Sequence, residues 1–154
     1  MKSGTPEYRT EGGAHALLTL LVSFPIACLS FALLTDAIYV QTANVLWVDF
    51  SAWLLAIGLL GGVLAALAGL ITIIRNRHSH SVRFVWPVAL GGVLVLVIAL
   101  LNNLVHSRDG WTSVMPTGLA LSVVTVLIML IVLWFASDRR HRLREAGPAA
   151  GVRH

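Results

Sequence analysis

Residues 16–40, 50–74, 84–105 and 113–136 form four apolar runs, and Asp36 is the only charged residue inside any of them. A hydrocarbon core of about 30 Å is crossed by roughly 20 helical residues, so each run is long enough to span a bilayer. A spanning backbone must satisfy its own hydrogen bonds, which leaves helices or a closed barrel. The runs are continuous, without the alternation of apolar and polar residues that barrel strands show, so helices are expected. Composition excludes the soluble alternative: 57% of the residues are hydrophobic and 12% charged, against about 25% charged in soluble domains. The expectation is an all-α integral membrane four-helix bundle. Its single transmembrane domain covers 15–136, with tails at 1–14 and 137–154. The first run exceeds the ~7–15 residues of a signal-peptide core, and no small-x-small cleavage site follows it, so it is read as a span.

Charge sets the expected orientation. Lys2, Arg9, Arg75, Arg77, Arg83, Arg139, Arg140, Arg142, Arg144 and Arg153 all fall on one side of a four-span topology; Arg108 alone falls on the other. The positive-inside rule makes the common side cytoplasmic, with both termini in. Trp47, Trp53 and Trp111 then flank the outer ends, and Trp86 and Trp134 the inner ends, as an aromatic belt. Arg139, Arg140, Arg142 and Arg144 follow the last span directly and are expected to meet anionic lipid headgroups rather than nucleic acid.

Small residues mark the expected packing. Gly58, Gly62 and Ala66 form one row at four-residue spacing, and Gly61, Ala65 and Gly69 form another. Such rows let helix backbones approach where no hydrophobic effect acts between helices. They are read as an internal seam, with a homo-oligomer contact as the alternative. Gly118 and Ser122 form a smaller pair. Pro87 and Pro116 fall in first turns, where a missing N–H costs little, whereas Pro25 lies deeper and is expected to bend its helix.

Asp36 is the first candidate for chemistry. A carboxylate at a helix centre costs roughly 2.5–3.5 kcal/mol. At about 1.5 Å per residue, Asp36 lies ~30 Å beyond Ala16, near the outer edge of the hydrocarbon. The plain expectation is an interfacial carboxylate reaching water or capping a neighbouring group. Topology also brings Asn102, Asn103, His106 and Arg108 to its level, as a hydrogen-bonded clasp between helices or, alternatively, an outward-facing binding site. Cofactor chemistry finds little support. A bis-histidine haem needs two imidazoles at similar depth, and His15 and His106 lie at opposite ends of the spans. His78, His80 and His141 share a side with His15 but lack carboxylate or thiol neighbours for a metal. No phosphate-binding glycine loop, zinc-protease helix or nucleophile elbow is present. Cys28, the single cysteine, is read as a small apolar filler.

The run of His15, then Phe24-Pro25-Ile26-Ala27, then Asp36 resembles the DUF2231 family of bacterial membrane proteins. Trp53, the Ala66–Ile71 segment and Asn103 with Arg108 fit the same pattern, and the resemblance covers about 15–136. It implies a four-span protein of the bacterial inner membrane with no assigned activity. Ser23, Trp86-Pro87-Val88 and Thr72 stand where the family often has two histidines and an aspartate. The expected role is a non-enzymatic membrane subunit or anchor, associated with a redox or envelope system through a protein partner. The alternatives are a binding or transport protein for a small solute or quinone, and a b-type haem protein assembled from two chains.

Overall fold

The computed structural model describes residues 8–75, 86–107 and 114–146, with side chains over 17–75, 86–107 and 116–138. Four helices account for nearly all of it: α1 (Tyr8–Thr42), α2 (Leu46–Arg75), α3 (Trp86–His106) and α4 (Leu119–Ala146). Each contains a segment long and apolar enough to cross a membrane: Leu17–Thr42, Leu46–Arg75, Trp86–His106 and Pro116–Asp138. The third span was expected from Phe84, which lies outside the described residues. Pro87 is the second residue of α3, where its missing N–H is harmless. Pro116 likewise lies in a first turn. It sits in a wide π-helical turn, Val114–Gly118, that leads into α4.

The principal seams are α1–α2, α2–α3, α3–α4 and α4–α1. The helices therefore stand in chain order around a square, alternating up and down. α1 and α2 join through three residues. Ala43 takes a left-handed φ of 52° and its N–H donates to Tyr39 O at 2.8 Å. Asn44 Oδ1 accepts from Leu46 N–H at 3.1 Å, satisfying one of the free amides at the start of α2.

Only 17–22% of the most apolar window of each span is buried. Leu20, Phe31, Trp53, Leu60, Leu90, Leu127 and Trp134 are all more than half exposed. A soluble protein could not carry such a surface; a bilayer solvates it. The buried residues fall on narrow stripes: Pro25, Cys28, Leu29, Ala32, Thr35 and Asp36 on α1; Ser51, Leu55, Gly58, Gly61 and Gly62 on α2. On α3 they are Val95, Ala99, Asn102 and His106, and on α4 Gly118, Ser122, Thr125 and Met129. Spacings of three and four residues are those of interlocking antiparallel helices. Leu29, Ala32, Leu55, Val95, Ala99 and Met129 form the apolar core.

The stripes stop halfway. In 17–24, 63–75, 86–94 and 130–138 no residue is buried. The packed half is the one carrying the α1–α2 connection, here called the hairpin end; the half toward the chain termini is loose. The small-residue rows divide at the same level. A Cβ on Gly58 would lie 2.9 Å from Cys28 Cβ, and one on Gly61 2.8 Å from the Phe24 ring. One on Gly62 would crowd Leu96 at 2.5 Å, so these three glycines are true close contacts. Ala65 is only half-buried and Ala66 is exposed, and a Cβ on Gly69 would meet nothing within 4 Å. The expected six-residue seam is therefore three residues long.

Candidate functional site

At the hairpin end the interior turns polar. Asp36 lies on α1 less than two turns before the helix ends at Thr42, and it is completely buried. The expectation of a carboxylate reaching water is overturned: depth placed it near a membrane face, but its side of the helix turns it into the bundle. Three helices supply its partners. Ser51 of α2 donates its hydroxyl to Oδ1, and Ser122 of α4 donates to Oδ2 at 2.5 Å. His106, the last residue of α3, brings Nε2 to 2.9 Å from Oδ1. One carboxylate thus ties all four helices together.

A second layer fixes these partners. Asn102 Nδ2 donates to Ser122 Oγ at 2.7 Å. Thr35 Oγ1 lies 3.1 Å from Ser51 Oγ, which is also 3.0 Å from Ala32 O. His106 Nδ1 is 3.0 Å from Asn102 O, one turn earlier on its own helix. That bond orients the imidazole, because a backbone carbonyl only accepts and Nδ1 must carry a hydrogen. Thr125, below the cluster, is buried and satisfies itself on Leu121 O at 2.7 Å. Among the described residues one buried side-chain atom has no partner, Asn102 Oδ1.

The ionic contact runs across the square. Helix packing follows the four sides, whereas Asp36–His106 spans the α1–α3 diagonal. Ser51 and Ser122 come from the other two corners. Hydroxyls suit this position because they are short, can donate to the carboxylate and accept from a neighbour at once, and pack like alanine against an adjacent helix. Neutralising the carboxylate inside the bundle offsets the cost of having it there.

Of the five residues expected in an outer polar cluster, Asp36, Asn102 and His106 come together here. Asn103 does not join them. It follows Asn102 by one residue, hence by about 100° around the helix, and is only half-buried. Arg108 lies outside the described residues, as do His78, His80 and Trp111. The side chains of His15, His141, Arg139, Arg140, Arg142 and Arg144 are likewise outside. Ser51, Thr35 and Thr125 were not singled out from the sequence, and Ser122 was read only as a small packing residue. Their signal was present: each is polar within an apolar span and falls on its helix's three-and-four spacing. Among the described residues no three His, Cys, Asp or Glu side chains gather as metal ligands. Cys28 is buried against Gly58, as a small filler would be.

The arrangement can hold a charge and a proton in a buried interior. A shallow apolar groove between α1 and α2, lined by Leu17, Leu21, Leu60 and Leu64, opens toward the loose half, away from Asp36. The family model for DUF2231, a predicted membrane protein, matches residues 14–139. No curated protein matches the chain, and no solved structure does.

Proposed function

The chain belongs to DUF2231, a family of predicted membrane proteins, and from that premise we propose that it acts as a non-enzymatic membrane subunit. In this reading the hairpin end holds the fold together and the loose half receives a partner helix. The observation that carries it is the unequal packing of the two halves. The polar groups at the hairpin end are engaged with one another. In the other half, Ala66 is exposed, and Gly69 and Gly92 have open space where a side chain would stand. Small residues on a helix surface are what close helix–helix contact in a membrane requires. Arg139, Arg140, Arg142 and Arg144, in the last turns of α4 beyond its apolar span, support a loose half at the cytoplasmic face of a bacterial inner membrane, in contact with anionic lipid.

The test is purification of the full chain in mild detergent, followed by cross-linking and mass measurement. The reading expects a complex with another polypeptide or a second copy, lost in Gly69→Leu and Gly92→Leu while the monomer's own stability is kept. A chain that stays monomeric in native membranes and is indifferent to both substitutions would contradict it.

A further inference from the structure

The hydrogen-bond geometry of Asp36 and His106 fixes how many protons the pair holds. His106 Nδ1 faces a backbone carbonyl at 3.0 Å and therefore carries one hydrogen. Nε2 faces Asp36 Oδ1 at 2.9 Å, a hydrogen-bond distance between two atoms that each have a lone pair. One further proton must lie between them. It belongs either to an imidazolium facing a carboxylate or to a carboxylic acid facing a neutral imidazole, and in both forms the pair has no net charge. With that proton removed, two lone pairs face each other and a negative charge is left in the bundle. With one more added, two hydrogens collide and the pair becomes cationic.

We propose that Asp36 and His106 form a binding site for a single exchangeable proton, and that its occupancy controls the closure of the hairpin end. The site is independent of whether a partner occupies the loose half. Its coupling to shape follows from its place on the diagonal, since α1 and α3 share no principal packing seam. Once the proton passes to a base in solution, hydroxide becoming water, the direct bond between these two corners is lost, and only the relay from Asn102 through Ser122 to Asp36 still joins them.

Among the described residues no other charged side chain faces the pair. α2 faces the pair with the Ser51 hydroxyl, and α4 with Ser122 and Thr125. Among the described residues the other titratable groups near this level are Tyr39, half-buried on α1, and Asp49, exposed on α2. Cys28 lies two turns deeper, against Gly58. Asn102 Oδ1, buried beside Ser122 without a donor, is where a water molecule can join the network and exchange the proton.

The experiment uses the full chain in lipid nanodiscs, with histidine ring nitrogens labelled with 15N and His106 assigned by comparison with His106→Asn. Labels at Gln41 and Ser107, both exposed near the ends of α1 and α3, report the diagonal distance in a Cys28→Ser background. Between pH 5 and pH 10 the His106 nitrogens should show loss of one proton, with the Gln41–Ser107 distance widening over the same interval. Asp36→Asn keeps the shape and can donate its amide to a neutral Nε2, so its distance should not respond to pH. If that variant does not fold, the coincidence of the two transitions in the otherwise unmodified chain decides the matter. A His106 ring that never changes, a distance that stays constant while it does, or an equal response in Asp36→Asn would overturn the proposal.

Discussion

The two ends of this bundle solve the same packing problem with different residues. Toward the hairpin end each helix buries a stripe, and the stripes meet in a polar layer built from Asp36, Ser51, Asn102, His106 and Ser122. Toward the termini the helices are as apolar but no residue is fully buried; Gly69 and Gly92 stand open, and Gly91, against Val132 of α4, is the close glycine contact on that side among the described residues. In water the more apolar end would be the better packed. In a bilayer lipid tails satisfy leucine as well as another helix does, so apolar surface gives no reason to close. Polar side chains whose partners lie on neighbouring helices do, because lipid offers them none. The contrast teaches that the hydrogen bonds of the interior, together with close contacts at Gly58 and Gly62, set where this fold is tight.

Substitutions can break that contrast from the tight side. His106→Ala should have the largest effect, since it leaves the Asp36 carboxylate buried without its ionic partner; removal of one member of a buried pair costs about 3–5 kcal/mol. Reversible unfolding in mixed micelles measures it. Gly58→Ala comes next: its methyl group would meet the rigid Cys28 Cβ at 2.9 Å, and overpacking of this kind costs about 1–3 kcal/mol. The matched substitutions in the loose half, Gly69→Ala and Gly92→Ala, should leave stability within ~0.5 kcal/mol or raise it slightly. If all three behave alike in the same assay, the two halves do not differ.

Smaller effects sharpen the picture. Ser122→Ala removes one interhelical donor and should cost about 0.6 and at most about 1.7 kcal/mol, the range of such bonds inside membrane proteins. Ala43→Gly should stabilise by roughly 1 kcal/mol, because a left-handed φ of 52° strains any residue with a Cβ. A gain confined to the α1–α2 connection would show as slower hydrogen exchange at 41–48.

The fold was legible because bilayer thickness leaves its mark on run length, and runs 16–40, 50–74, 84–105 and 113–136 each lie within a few residues of an observed span. The site was legible in part. Asp36, Asn102 and His106 stand out as polar residues at matched depth on the parallel helices α1 and α3. Their burial did not, because depth along a helix is fixed by its rise whereas facing is not. All sides of these helices are apolar, so hydrophobicity does not reveal which one turns inward. The marker lay in the minority residues: Ser51 with Gly58, and Ser122 with Thr125, trace the inner face. Asn103 shows the same limit in reverse, sharing Asn102's depth but not its direction.

The central claim is that Asp36 and His106 act as one unit across the bundle. A double-mutant cycle with Asp36→Ala, His106→Ala and both together, read by equilibrium unfolding of the full chain, tests it most directly. A coupling at the upper end of the ~0.5–3 kcal/mol seen between contacting residues is predicted, with the double variant no less stable than His106→Ala alone. Additivity within about 0.5 kcal/mol would mean that the two side chains act separately, and the locked end would need another explanation.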